Sequence, residues 1–201
     1  MNITKAITSL RQKGYIVSFF ESQQSATLYL NDALDSKTIG FGDSNTLLSL
    51  NLYESLSAHN RVYDPQHLLD GWTFLDTAKQ CMTTSIFVTS VNAFSETGEL
   101  VNIDATGNRI AGSIFGHQKV YFIVGTNKLV STLEDAVWRA QNVAAPHNAM
   151  RLGLNTPCAK NGTRCFNCSS SDRICNGMMI YLNKMSDIEM EIVIINEQLG
   201  F

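Results

Sequence analysis

Four of the chain's five cysteines fall within eighteen residues, in "CAKNGTRCFNCSSSDRIC". Cys158, Cys165, Cys168 and Cys175 are spaced C-x6-C-x2-C-x6-C. Four thiolates form a soft donor set that zinc and iron–sulfur clusters both accept. Structural zinc sites mostly pair two short knuckles. Here one central C-x2-C carries two long arms, which give the sulfurs the reach to surround a cubane. Lys160, Arg164 and Arg173 would offset part of the charge of a thiolate-ligated centre. Paired disulfides and free thiols are the competing readings. The opening "MNITKAITSLRQKGY" lacks the apolar core of a signal peptide. A cytoplasmic, thiol-reducing setting is therefore expected, which weighs against a disulfide staple. The expected ligand set is Cys158, Cys165, Cys168 and Cys175, holding a 4Fe-4S cluster or, alternatively, zinc. Spacing constrains geometry and not the element. Cys81, in the helical stretch "DTAKQCM", reads as a buried free thiol.

A second group of residues suits anion binding. In "TIGFGDSNTLL" a strand runs into Gly40-x-Gly42, and a helix follows. Gly40, Gly42, Ser44, Asn45 and Thr46 would let backbone N–H groups approach a phosphate or carboxylate. Ser44 or Asn45 could equally do no more than cap the helix. The turn is not a P-loop, since no Gly-Lys-Ser/Thr follows. It is not a dinucleotide fingerprint either, since Asn45 holds the third glycine position. Asn92 ends a buried strand and needs a partner. Glu96 and Glu99 follow it and are the candidate general bases. "VGTNKLV" ends another strand with Asn127 and Lys128, and Lys128 could hold an anionic group. Asp104, Asn108 and Arg109 lie in the same polar stretch as Asn92. Arg151 follows His147 by four residues, so the two share a helix face.

These residues need a frame. The chain has 201 residues, enough for a single domain over 1–201, with residues 158–175 as a cysteine-rich loop within it. A net charge of −3 argues against a nucleic-acid partner, because such affinity rests on clustered Lys and Arg. No apolar run reaches the length of a membrane span, so no membrane insertion is expected. "YIVSFF", "KTIGFG", "SIFVTSVNAF", "KVYFIVGT" and "MEIVIINEQLGF" read as strands. "ITKAITSLRQKG", "SQQSATLYLNDAL", "SNTLLSLNLYESL", "DGWTFLDTAKQCM" and "TLEDAVWRAQNVAAPHNAMRL" read as helices, the last kinked at Pro146. "ETGELVNIDATGNR" reads as a hairpin-like excursion. The alternation predicts an α/β fold: a mostly parallel, Rossmann-like sheet with helices on both faces, and a four-cysteine loop before the last strand.

Five stretches together resemble the lactate-utilisation (LUD) domain family: "GFGDSNT", "TSVNAFSETGELVNIDATGNRIAG", "VYFIVGTNKLV", "RAQNVAAPHNAMRLG" and "CFNCSSSDRICN". The resemblance implies a fold like the ribose-5-phosphate isomerase, glucosamine-6-phosphate deaminase and CoA-transferase superfamily. There the turn matching Gly40 to Thr46 receives a phosphate or carboxylate. The resemblance also implies a link to lactate oxidation alongside iron–sulfur partners. Two functions are then expected. One is a redox enzyme subunit that binds a small anionic metabolite and carries the metal centre, with redox proteins as partners. The other is a non-catalytic component of a redox assembly with a structural zinc site.

Overall fold

The computed structural model describes every residue except Thr163, which lies in the four-cysteine loop. Helix α1 (Ile3–Gln12) begins where the Asn2 side chain accepts from the Lys5 amide at 3.0 Å. It ends before Gly14, whose φ of 87° suits a residue without Cβ. It buries Ala6 and Leu10. Then come β1 (Ile16–Phe20), α2 (Gln23–Ala33) and β2 (Thr38–Phe41). The single helix expected from Ser44 to Leu56 is two, α3 (Asn45–Ser49) and α4 (Leu52–Ser57). Asn51 between them takes a left-handed φ of 49°, which no continuous helix allows. β3 (Arg61–Tyr63) and α5 (Phe74–Cys81) follow, α5 opened by a reciprocal Thr73–Asp76 capping box.

The strand expected over "SIFVTSVNAF" also divides, into β4 (Ile86–Thr89) and β5 (Ala93–Ser95), which belong to different sheets. β6 (Leu100–Asp104) pairs antiparallel with β5, so the predicted hairpin is present. A short helix that the pattern did not announce, α6 (Asn108–Ile114), precedes β7 (Lys119–Gly125). A 3-10 turn (Thr126–Lys128) leads to β8 (Leu129–Val130). The long helix then runs as α7 (Leu133–Arg139), a π-helical turn (Ala140–Ala144) and α8 (Ala145–Arg151). Pro146 sits in the first turn of α8, where its missing N–H costs little, and the irregularity lies just before it. α9 (Pro157–Asn161) opens the cysteine loop, which is followed by β9 (Gly177–Tyr181) and β10 (Glu189–Ile195). The loop therefore precedes two strands rather than one.

The predicted parallel sheet is borne out. Six strands run in the order β1-β10-β7-β4-β2-β3, every pair parallel. The side-chain period of two divides its residues between two cores. Val120, Phe122, Val124, Met190, Ile192 and Ile194 face one core, while Tyr121, Ile123, Val193 and Ile195 face the other. The second core is covered by α2, α3 and α4 through Leu30, Leu47 and Leu52. The first is shared with a smaller sheet, β8-β5-β6-β9, which contributes Phe94, Leu100 and Tyr181. The far face of that small sheet, Ala93, Val101 and Ile103, packs on Ala136 and Ala140 of the interrupted helix. No helix of the described residues is long and apolar enough to cross a membrane.

Candidate functional site

β2, β4 and β7 are neighbours in the sheet, and the segments after their carboxyl ends meet over one cavity of about 280 Å³. Ligands in open α/β sheets sit at such an end. Asp43 to Thr46 line it from beyond β2, Ser90 to Asn92 from beyond β4, and Lys128 from beyond β7. Arg109 approaches from α6, and Asn148 and Arg151 from α8. This volume is at the low end for small-molecule pockets and suits a metabolite of a few carbons rather than a nucleotide.

Lys128 forms the floor, with only 3% of its surface exposed. Its Nζ lies 2.9 Å from Thr46 Oγ1, 3.0 Å from Ser90 Oγ and 3.1 Å from the Val91 carbonyl. Among the described residues no carboxylate is within ion-pair distance of it. Burial, reinforced by the charges of Arg139 and Arg109, pushes its pKa down to about 7. The 3-10 turn after β7 lets the side chain reach back under the turn that follows β2.

The rim is set by internal bonds. Asn92 found its partner in the chain itself, since its Oδ1 accepts from the Ile103 amide at 2.7 Å. The Asn92 carbonyl accepts from Arg139 at 2.5 Å. Asp104 Oδ2 accepts from the amides of Arg109 and Ile110 at 3.0 and 3.1 Å, which anchors the first turn of α6. The Arg109 guanidinium donates to the Ile103 carbonyl and faces Asp104 Oδ1 at 3.9 Å, which offsets part of its charge. Arg151 is tied to Asn148 Oδ1 at 2.9 and 3.0 Å. Asp43 sits at a left-handed φ of 37° and accepts from Gln66. Strained backbone of this kind gathers at ligand sites. Phe201 also lines the cavity and stacks on His147 with centroids 5.6 Å apart.

Of the residues singled out in the sequence, Ser44, Asn45, Thr46, Asn92 and Lys128 come together here. Five others do not. Gly40 and Gly42 lie outside the lining, and packing requires them. A Cβ on Gly40 would meet the Cys81 carbonyl at 2.7 Å, and one on Gly42 would meet Thr89 Oγ1 at 2.6 Å. Ser44 caps α3 by accepting from the Thr46 amide at 3.2 Å. Asn127 fastens the segment at 199–200 instead of a ligand, accepting from the Leu199 amide at 3.1 Å and donating to the Gly200 carbonyl at 3.3 Å. Glu96 pairs with Lys5 at 3.3 Å and accepts from the Asn2 amide at 2.7 Å. Glu99 pairs with Lys13 at 2.5 Å and accepts from Ser95 and Thr97, each at 2.5 Å. Burial opposes ionisation of Glu99, but these donors outweigh it and hold its carboxyl at about 2. Both glutamates thus brace the small sheet against α1, outside the cavity lining, and the general-base expectation has no geometric support. Ser90, Arg109 and Arg151 are what sequence reasoning missed or left without a role. Each follows a strand end or shares a face with another polar residue, a signal too common to single them out.

A family model described as the LUD domain matches residues 3–195. The chain belongs to the LUD domain family. A solved structure of a DUF162 family protein from Deinococcus radiodurans superposes with a TM-score of 0.57, covering 96% of this chain and 95% of that one. At 8% identity that likeness shows the fold alone. No curated protein matches the chain.

Among the described residues no three His, Cys, Asp or Glu side chains are gathered to hold a metal ion. Cys158 opens α9, with Sγ 3.2 Å from Thr156 Oγ1. Cys165 Sγ accepts from the Asn167 amide at 3.3 Å. Arg173 bridges the carbonyls of Cys168 and Cys175 at 2.7 and 3.1 Å. Burial raises the Cys175 thiol, Arg173 lowers it, and Cys165 and Cys168 lie near enough to raise it further. Three of the thiols thus share a neighbourhood. The donor chemistry suits a soft metal, but the arrangement does not yet fit one. Cys81 is fully buried, donates to the Tyr63 carbonyl at 3.2 Å, and is pushed by burial up to about 12.

Proposed function

We propose that this LUD domain binds a small anionic metabolite, a short carboxylate or a phosphate, in the cavity at the carboxyl ends of β2, β4 and β7, as a component of lactate utilisation. The observation that carries this reading is Lys128: a cation buried at the cavity floor with, among the described residues, no carboxylate within ion-pair distance. A buried charge is expected to be paired, and an anionic ligand would supply the missing partner. Arg109 and Arg151 add two further cations to the lining, against the carboxylates of Asp43 and Asp104. Asp104 is held by the backbone of α6 and lies 3.9 Å from Arg109, so Lys128, Arg109 and Arg151 together face two carboxylates in the lining. The test is calorimetric titration with lactate, pyruvate and inorganic phosphate. Millimolar or tighter binding of one of them, abolished in Lys128→Ala, supports the reading. No binding of any would refute it.

The metal reading is retained for the thiol loop on its donor chemistry. Cys158, Cys165, Cys168 and Cys175 are the residues that would hold a 4Fe-4S cluster or zinc, and the loop would have to close around it. A cluster would supply electron transfer, and zinc a structural staple. Purification without oxygen, followed by iron, sulfide and zinc analysis, decides between cluster, zinc and neither.

A further inference from the structure

We propose that an oxyanion in this cavity is grasped by the hydroxyls of Thr46 and Ser90, and that Lys128 is the positioning residue behind them. This rests on the anion-site reading above and names the atoms that read the ligand. An ammonium has three donors and no acceptor. All three of Lys128 are spent inside the protein, on Thr46 Oγ1, Ser90 Oγ and the Val91 carbonyl. A ligand therefore meets no spare donor on Nζ, and the charge acts through the hydroxyls instead. Each hydroxyl oxygen accepts from Nζ, so its own hydrogen must point elsewhere. The acceptors these hydrogens find among the described residues are distant. Thr46 Oγ1 lies 3.4 Å from the Leu199 carbonyl, and Ser90 Oγ lies 3.4 Å from the Val91 carbonyl. Well-made O–H···O bonds span about 2.5–3.0 Å. The Val91 carbonyl moreover already serves Lys128.

Both hydroxyls are pinned at the floor. Thr46 and Ser90 are 1% and 2% exposed, and both line the cavity. Asn127 fastens the segment that carries the Leu199 carbonyl, and Asn102 donates to the Ser90 carbonyl at 3.3 Å. Buried polar hydrogens are normally bonded. A carboxylate or phosphate oxygen offers them a better acceptor, because O–H···O⁻ bonds are shorter and stronger than neutral ones. The ligand's charge then faces Lys128 across one hydroxyl, at about 4–5 Å, close enough in a dry site to balance the ammonium. Arg109 and Arg151 on the wall can take its remaining anionic oxygens.

The experiment is calorimetry on the full chain with lactate, pyruvate and inorganic phosphate as probes. For whichever anion binds the parent, Ser90→Ala and Thr46→Val should each weaken affinity by about tenfold to a hundredfold. Ser90→Thr and Thr46→Ser, which keep the hydroxyl, should restore most of it. A lysine that touched the anion itself would give the opposite sign, since each hydroxyl removed frees an ammonium donor. Unchanged or tighter binding in Ser90→Ala and Thr46→Val would therefore overturn the proposal and leave the anion site standing. Failure of the parent to bind any of the three would overturn both. A crystal structure of the parent with its anion asks the same question without a variant, so the test stands even if the variants fail to fold. Anion oxygens within about 2.8 Å of the two hydroxyls are expected, and an anion oxygen bonded to Lys128 Nζ would overturn the proposal.

Discussion

Lys128 Nζ and Thr46 Oγ1 meet at 2.9 Å although 82 residues separate them in the chain. The contact joins the turn after β7 to the turn after β2, with Ser90 at the end of β4 completing the triangle. It fixes the floor of the cavity with a cation that no carboxylate among the described residues pairs, which has consequences for stability.

Replacing that cation should stabilise the fold while removing binding. The Lys128 amine ionises near 7 when folded, against an ordinary value near 10.5. Below pH 7 both folded and unfolded chains hold the proton, so the full cost of burying the charge is present. Between pH 7 and about 10.5 only the unfolded chain holds it, and stability rises with pH. Lys128→Met should therefore gain about 1–2 kcal/mol at pH 6, the lost hydrogen bonds offsetting part of the relief. The gain should shrink by pH 9. Denaturant melts at the two pH values check this, and a variant less stable at both would show that the hydrogen bonds outweigh the burial cost.

Glu99 should behave as a structural acid. Its carboxyl is depressed to about 2, so its contribution is present above the unfolded value near 4.5 and lost as pH falls toward 2. Glu99→Gln should cost about 1 kcal/mol at pH 7, less than the shift alone implies, because the pair is partly screened by solvent. The difference from the parent should vanish near pH 2. Anion affinity should not change, and a large loss of affinity would return Glu99 to the site.

Gly40 separates packing from ligand approach. Gly40→Ala would drive a methyl into the Cys81 carbonyl at 2.7 Å. The expected cost is about 2–3 kcal/mol of stability. The folded fraction should keep the parent's affinity, as measured by calorimetry below the melting transition.

Asn127 should act on the segment at 199–201 that it fastens. Asn127→Ala leaves the Leu199 amide and the Gly200 carbonyl without this partner, at a cost of about 1–2 kcal/mol. Amide exchange at Leu199 should quicken, and Phe201 should lose its fixed place on the cavity wall.

The thiols should divide by reactivity. Native protein treated with an alkylating reagent should modify the four half-buried loop cysteines and spare Cys81, which is fully buried and raised to about 12. Cys81 should react only on unfolding. Metal loading, if the loop accepts a centre, should protect the other four together. Protection of a single pair would point to a disulfide instead.

Much of this arrangement was legible beforehand. The β-branched runs at 120–124 and 190–195 could only be buried strands, and alternating helices made a parallel sheet the economical reading. The turns after β2 and β7 were singled out as anion sites, and both reach the cavity. The misreadings have local causes. "SIFVTSVNAF" is uniformly apolar enough to read as one strand, but Ser90 to Asn92 carry the chain from one sheet to the other. The acids at 96 and 99 follow a strand end as a catalytic pair would, and only α1 packed beside them reveals Lys5 and Lys13 as their partners.

By itself the sequence determined the residue types and the faces of each element, because hydrophobic period is a local property that a strand or helix expresses wherever it lies. It also set the cysteine spacing and supplied Lys128. Tertiary structure decided which distant residues share a site. Strand order sets β2, β4 and β7 side by side, so that Thr46, Ser90 and Lys128 converge, and no spacing along the chain encodes that adjacency. It also decided that Lys128 is buried with no ion-pair partner among the described residues, since its environment is made by elements distant in the chain as well as by its own neighbours.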